Sequence, residues 1–123
     1  MATNIMIVDD SPTILMSLEM TFSMNDIGVT KAASAEEAVA KLKGGLKPSM
    51  IITDLNMGAM NGIDLIRTVR KMAGLQFLPI VLLTTESQQD KRQEAKAAGA
   101  TGWLVKPAQG DMLMNVVRQV LKL

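Results

Sequence analysis

The chain contains no histidine, no cysteine and no tyrosine, and its only aromatic residues are two phenylalanines and one tryptophan. Without histidine or cysteine it cannot build a Ser-His-Asp triad, a thiolate nucleophile, a disulfide or a zinc site of the usual nitrogen and sulfur ligands. Any chemistry must therefore use carboxylates, hydroxyls, lysine, backbone groups, or a hard metal ion held by oxygen atoms.

A strong charge imbalance and a long hydrophobic run are also missing. Thirteen Lys and Arg against 12 Asp and Glu give a net charge of +1, and the scattered basic residues argue against a nucleic-acid-binding surface. No basic leader precedes the first apolar run, and no later run approaches the length that spans a membrane. We therefore expect a cytoplasmic protein that binds neither nucleic acid nor membrane.

The length and composition of the chain are those of one ordinary domain. The 123 residues are 48% hydrophobic and 20% charged, which is typical of a globular domain with a single core. No linker or repeat divides them, so we predict one domain over residues 1–123 with no output domain. Methionine is unusually frequent, with 11 residues, and we expect most of them to fill the core because the side chain adapts to gaps.

Short apolar, β-branched runs alternate with segments of helical periodicity. The predicted strands are 5–8, 29–33, 50–53, 80–83 and 103–105. Helix starts are indicated by Ser11 followed by Pro12 and by a capping box from Ser34 to Glu37, and the third helix is expected to end near Gly74. The alternation predicts an α/β fold in which helices cover both faces of a parallel sheet.

The fourth predicted helix, about residues 87–98, differs from the others. Its polar residues leave only alanines for burial, so its attachment to the core should be weak. Two interpretations remain open, a well-solvated surface helix and a movable element that faces a partner.

Reactive polar residues follow four of the five predicted strands. Asp9 and Asp10 follow the first, Asp54 the third, Thr84 the fourth and Lys106 the fifth. Because ligands of an open parallel sheet bind at the carboxyl ends of its strands, we expect these side chains to share one pocket. Each has a plainer explanation alone, such as a turn or helix cap for the acidic pair, but their conjunction favours a site.

Three clustered carboxylates repel one another unless a cation lies among them. Mg²⁺ prefers oxygen ligands, which Asp9 or Asp10, Asp54 and a backbone carbonyl just after Asp54 can supply. An aspartate can also act as a nucleophile and form an acyl phosphate, with Lys106 neutralising charge on the transferred group and Thr84 donating its hydroxyl to a phosphoryl oxygen. The sequence thus predicts a magnesium-dependent phosphate site.

These motifs resemble the receiver domain of two-component response regulators, especially the single-domain chemotaxis type. The matching segments are Ile-Val-Asp-Asp-Ser, Ile-Thr-Asp-Leu-Asn-Met, Leu-Leu-Thr-Thr-Glu and Leu-Val-Lys-Pro, and the resemblance covers the whole chain. It implies a (βα)5 doubly wound fold whose five-stranded parallel sheet has the flavodoxin-like order 2-1-3-4-5.

The resemblance also implies a role for each matching residue. Asp54 would be the phosphoacceptor, assisted by Lys106 and Thr84. Mg²⁺ would be held by Asp10, Asp54 and the backbone carbonyl of Asn56, with Asp9 acting through water. Thr84 and Trp103 would form the conformational switch, and Asn56 and Glu86 would tune dephosphorylation. The Lys106-Pro107 bond would be cis, which X-Pro bonds permit at modest cost.

Three positions depart from the usual pattern of this family. Gly58 replaces a proline, Ala108 replaces a frequent phenylalanine, and Trp103 stands where tyrosine or phenylalanine is usual. In this family the aromatic side chain at this position turns inward during switching. Because tryptophan is larger, this turn is expected to be restricted or differently populated. The alternative is a sheet-edge aromatic packed in one rotamer.

The resemblance implies a phosphorylation-activated regulator that is not an enzyme beyond its own phosphorylation and dephosphorylation. The partners would be a histidine kinase (CheA-like) and a flagellar motor switch protein (FliM-like) or another protein target. A phosphatase could be a further partner, and the chain would be a monomer. The alternatives are a phosphorelay shuttle, a non-flagellar regulator and a docking protein that is never phosphorylated. A Mg²⁺-dependent phosphohydrolase is less favoured because Asn56 stands where such enzymes usually have a second aspartate.

Overall fold

Five strands and five helices alternate along the chain in the computed structural model, which describes residues 3–85, 89–106 and 110–122. The strands are β1 Asn4–Val8, β2 Gly28–Ala32, β3 Met50–Thr53, β4 Ile80–Thr84 and β5 Gly102–Val105. The helices are α1 Pro12–Ser23, α2 Ala35–Lys43, α3 Gly62–Arg70, α4 Gln89–Ala98 and α5 Gly110–Leu121. All strand pairs are parallel, in the order β2-β1-β3-β4-β5, which confirms the predicted fold and strand order.

Alternating side chains of the strands enter two separate cores, one on each face of the sheet. In β1, Met6 and Val8 pack with residues of α2, α3 and α4, whereas Ile5 and Ile7 pack with α1 and α5. Both faces of the central strands are thus buried, which explains why these strands read as continuous apolar runs in the sequence.

The predicted helix caps form, with one difference in detail. Ser11 Oγ accepts a hydrogen bond from Ile14 N at 3.3 Å, and Pro12 occupies the first turn of α1. Ser34 Oγ accepts from Glu37 N at 3.0 Å. The Glu37 carboxylate, however, accepts from Ala33 N at 2.6 Å, so the second bond of the expected capping box lies one residue earlier.

The predicted end of α3 is wrong by several residues. The helix ends at Arg70 rather than near Gly74. Lys71 N donates to Thr68 O at 3.1 Å and Met72 N to Val69 O at 3.0 Å, and these tighter bonds close the helix. At the other end, Asn61 and Asp64 form a capping box that the sequence reading missed.

Six of the described methionines confirm the expected role in the core. They are Met6, Met50, Met57 and Met114, which are buried, and Met60 and Met72, which pack against the core. Four others are exposed on α1, just after it and on α5: Met16, Met20, Met24 and Met112.

The weak attachment predicted for the fourth helix is confirmed. Ala95 is the only buried residue among those of α4. The predicted start at residue 87 lies outside the described residues. Among the helices of the described ranges, none has the length and apolar character to cross a membrane.

Candidate functional site

The main-chain ladder of the sheet continues one residue beyond three strands and thereby fixes three site residues. Asp9 N donates to Ala32 O at 3.1 Å, Asp54 N to Val8 O at 2.9 Å, and Lys106 N to Thr84 O at 2.8 Å. Each backbone is therefore anchored to a neighbouring strand, which places the three side chains at the carboxyl edge of the sheet. This is the convergence that the sequence pattern predicted.

Three carboxylates meet at this edge. Oxygen atoms of Asp9, Asp10 and Asp54 all lie within 4.8 Å of one another. Asp9 is buried, Asp54 is partly buried and Asp10 is exposed, so the cluster has one side in the protein and one side open to solvent.

The Asp9 carboxylate is the most enclosed of the three. Its Oδ1 accepts from Ser11 N at 2.9 Å and its Oδ2 accepts from Lys106 Nζ at 3.0 Å. Burial raises the pKa of Asp9 above its ordinary value and outweighs the opposing effects of the Ser11 amide and the Lys106 ammonium, while the neighbouring Asp54 raises this pKa further. Ionising the Asp9 carboxyl therefore costs more free energy here than in water.

Lys106 connects the site electrostatically. Its Nζ lies 3.0 Å from Asp9 Oδ2 and 3.4 Å from Asp54 Oδ2, and its side chain is only 16% exposed. One ammonium thus faces two carboxylates from the ends of two other strands, in surroundings where charge interactions are stronger than in water.

The backbone around Asp54 is held in place by residues that were not predicted from the sequence to belong to the site. Asp54 Oδ1 accepts from Leu55 N at 2.7 Å, and Thr53 Oγ1 donates to Asp54 O at 2.9 Å. A Cβ placed on Gly62 would overlap Asp54 O. Only glycine therefore lets the start of α3 approach so closely, and the available signal was a glycine directly after the Asn61 cap.

The two predicted switch residues lie on neighbouring strands, Thr84 on β4 and Trp103 on the edge strand β5. Thr84 is fully buried at the end of β4, and Trp103 is opposite Leu82 in the register of β5. The Trp103 side chain is partly buried against the core shared with α4, and its buried Nε1 has no hydrogen-bond partner among the described residues.

The loop after Asp54 explains one departure from the family pattern. Gly58 has φ +48, which a proline ring cannot adopt because it fixes φ near −65°. The neighbouring Met57 is buried and Asn56 is exposed. Three other predictions, those for Glu86, for the Lys106-Pro107 bond and for Ala108, lie outside the described residues.

The donor set fits a hard divalent cation. Three carboxylates offer oxygen ligands within reach of one ion, and oxygen ligands are those that Mg²⁺ prefers. Such an acidic pocket is the one at which receiver domains generally bind Mg²⁺.

The sheet order is that of a receiver domain, and the model of the response regulator receiver domain family matches residues 5–118. The chain belongs to this family.

Within the family the chain is CheY-like. It is 34% identical over 121 residues to "Chemotaxis protein CheY" of Pseudomonas aeruginosa, covering 96% of this chain and 95% of the relative. It is 32% identical over 117 residues to "Protein PilH" of the same organism, covering 95% and 96%. The crystal structure of chemotaxis protein CheY4 of Vibrio cholerae superposes with a TM-score of 0.92 at 38% identity, covering 98% of this chain and 99% of that one.

Proposed function

We propose that this protein accepts a phosphoryl group on Asp54 in a Mg²⁺-dependent reaction and signals by binding another protein. Phosphorylation-activated signalling is the function of the family to which the chain belongs. The observation that supports Asp54 as the acceptor is its position, with Lys106 Nζ at 3.4 Å on one side and the other carboxylates within 4.8 Å.

In the proposed transfer, an Asp54 carboxylate oxygen forms a bond to phosphorus as the bond from phosphorus to the donor breaks. The electron pair of that bond leaves with the donor, a phosphohistidine of a CheA-like kinase or acetyl phosphate in the test tube. Hydrolysis by water later returns the Asp54 carboxylate and inorganic phosphate. The chain catalyses only its own phosphorylation and dephosphorylation.

Asp9, Asp10, Asp54 and the carbonyl of Asn56 are the proposed holders of Mg²⁺, which would supply positive charge to the phosphoryl oxygens. Lys106 provides a second positive charge on the Asp54 side of the pocket. Asp9, held by Ser11 N and Lys106 Nζ, keeps this lysine oriented before any phosphoryl donor arrives.

Intact-protein mass spectrometry after incubation with acetyl phosphate and Mg²⁺ tests the acceptor. We expect one phosphoryl adduct in the wild type and in Asp26→Asn, a matched control at an exposed turn whose φ of +60 asparagine accepts readily. Asp54→Asn should show no such adduct, and a normal adduct in this variant would overturn the assignment. Steady release of nitrophenol from p-nitrophenyl phosphate would instead favour a phosphohydrolase.

For the output, we propose the flagellar motor switch as the partner, with the protein acting as a cytoplasmic monomer. Support comes from the relatives whose names are chemotaxis proteins. The relative named "Protein PilH" is not called a chemotaxis protein, and a non-flagellar target is therefore the second candidate. Binding of a FliM-like motor protein that strengthens with beryllofluoride and Mg²⁺ would support motor output. Transfer of the phosphoryl group from Asp54 to a histidine phosphotransfer protein, with no motor binding, would support a relay.

A further inference from the structure

Helix α4 is attached to the rest of the protein by few apolar contacts. Ala95 is its only buried residue within Gln89–Ala98, and an element with so little buried surface opens at a low free-energy cost. Two arginines of α3, Arg67 and Arg70, reach across to it. They lie three residues apart and so share one side of α3, but they hold α4 in different ways.

Arg70 forms hydrogen bonds to the backbone at the C-terminal end of α4. Its Nε and Nη2 donate to Gly99 O at 3.2 and 2.7 Å. Its Nη1 donates to Leu75 O at 3.3 Å and to Leu78 O at 2.6 Å. Within the described part of the chain no carboxylate forms an ion pair with this guanidinium, and burial lowers its pKa, although an arginine stays charged. Arg70 thus ties the end of α4 to the segment between α3 and β4.

The backbone at Gly99 is shaped for this contact. Gly99 has φ +109, and a Cβ there would lie 2.9 Å from Arg70 Nε. The same turn is closed by Gly99 N donating to Lys96 O and by Ala100 N donating to Ala95 O, both at 3.0 Å. Thr101 N then donates to Ile80 O at 2.7 Å, so this end of the helix is continuous with the sheet.

Arg67 holds the middle of α4 through an exposed ion pair. Its Nη2 lies 3.2 Å from Glu94 Oε2, and the two side chains are 47% and 39% exposed. Each partner also faces another charge, Asp64 for Arg67 at 3.6 Å and Lys91 for Glu94 at 3.6 Å. Exposed pairs of this kind contribute little and are screened by salt.

We infer that Arg70 is a positioning residue that fixes the C-terminal end of α4, so that the helix moves by pivoting about Gly99. Among the described residues, the side chain that ties α4 to α3 ahead of this end is Arg67, through Glu94, and the N-terminal half then leaves α3 and returns. A groove of about 420 Å³ between α4 and β5 runs from Gln89 to Thr101 along Trp103. A pivot at Gly99 changes the width of this groove at the Gln89 end and leaves the Thr101 end unchanged. This property belongs to the unphosphorylated chain and goes beyond the proposed function.

Amide hydrogen exchange followed by mass spectrometry on the unphosphorylated protein tests the pivot. In the wild type, amides of residues 89–94 should exchange faster than those of 95–101. Arg70→Met should accelerate exchange in 95–101 by about tenfold or more, because hydrogen bonds to a charged donor are among the stronger ones. The protected amides of β1 and β3 should change much less than this.

Arg67→Met is the matched control, since it removes the neighbouring arginine of the same helix. It should accelerate exchange in 89–94 alone, and added salt should do the same in the wild type. Equal acceleration in every element by Arg70→Met would mean that this arginine only stabilises the fold, and unchanged protection of 95–101 would mean that it does not hold α4. Either result overturns the inference.

Arg70→Lys provides a second variant if Arg70→Met does not fold. Lysine keeps the charge but lacks the planar set of donors that reaches three carbonyls, so it should loosen 95–101 in the same local pattern. Full protection in Arg70→Lys would also overturn the inference. Because no phosphoryl donor is present, these outcomes are independent of whether Asp54 accepts a phosphoryl group.

Discussion

Substituting Gly62 by alanine has two opposing effects on the free energy of unfolding, one from helix propensity and one from packing. Gly62 begins α3, and replacing a glycine in a helix by alanine is normally stabilising by about 0.5–1 kcal/mol. In this structure the added Cβ would overlap the Asp54 carbonyl oxygen and lie 2.8 Å from Leu82 Cδ2. We therefore expect Gly62→Ala to lower the free energy of unfolding.

The magnitude follows from which neighbour can move. The Leu82 side chain can turn away, but the Asp54 carbonyl can retreat only if the backbone of the acceptor residue moves with it. Overpacking a well-filled site costs about 1–3 kcal/mol, and the helix-propensity gain offsets up to about 1 kcal/mol of this. Taking the middle of both ranges, the expected net loss is about 1 kcal/mol, together with a weaker response of the site to Mg²⁺.

Urea unfolding followed by Trp103 fluorescence and circular dichroism measures this loss. Gly44→Ala is the matched control, because its Cβ would meet nothing closer than Lys41 O at 3.4 Å and its φ is −75. This control should stay within about 0.5 kcal/mol of the wild type. A Gly62→Ala variant as stable as the wild type would refute the close-approach argument.

Three further predictions concern the charged and aromatic groups of the site. The raised pKa of Asp9 means that the folded state holds this proton more tightly than the unfolded chain. Its contribution to stability is therefore full below the unfolded pKa and lost as pH rises through the folded pKa. As pH rises through the folded pKa, the free energy of unfolding of metal-free Asp9→Asn, measured by urea titration, should therefore increase relative to that of the wild type. A difference between the two proteins that does not change with pH would contradict the burial argument. Lys106→Met should cost about 1–3 kcal/mol near neutral pH, since it leaves the Asp9 carboxylate without its partner, and less in acid; equal losses at both pH values in calorimetry would count against this ion pair. Trp103→Phe should cost less than about 1 kcal/mol in the same assay, because removing an unpartnered buried N–H offsets part of the lost packing, and a loss several times larger would show that the indole nitrogen is satisfied.

Much of the fold could be predicted because its signals are local. Short apolar runs located all five strands, four of which are followed by a reactive polar residue, and Ser11 with Pro12 located the start of α1. The end of α3 could not be found in this way. Its position depends on tight turns in which Lys71 N donates to Thr68 O and Met72 N to Val69 O, and these bonds leave no pattern in the nearby sequence.

The same division holds for the site. Asp9, Asp54 and Lys106 could be predicted because parallel strands bring their carboxyl ends to one edge. Gly62 and Thr53 could not, because their importance lies in contacts with the Asp54 backbone. Helix propensity alone makes a glycine at a helix start unfavourable. Only the packing of the folded structure shows why glycine is required there.

Borohydride trapping of the acyl phosphate tests the central claim most directly, because reduction converts a phosphorylated aspartate into homoserine at its position in the chain. After incubation with acetyl phosphate, peptide mapping should find homoserine at residue 54, with a yield that depends on Mg²⁺ and falls when the metal is chelated. Homoserine at another aspartate, or an undiminished yield with chelator present, would contradict Asp54 as the acceptor of a metal-dependent phosphoryl site.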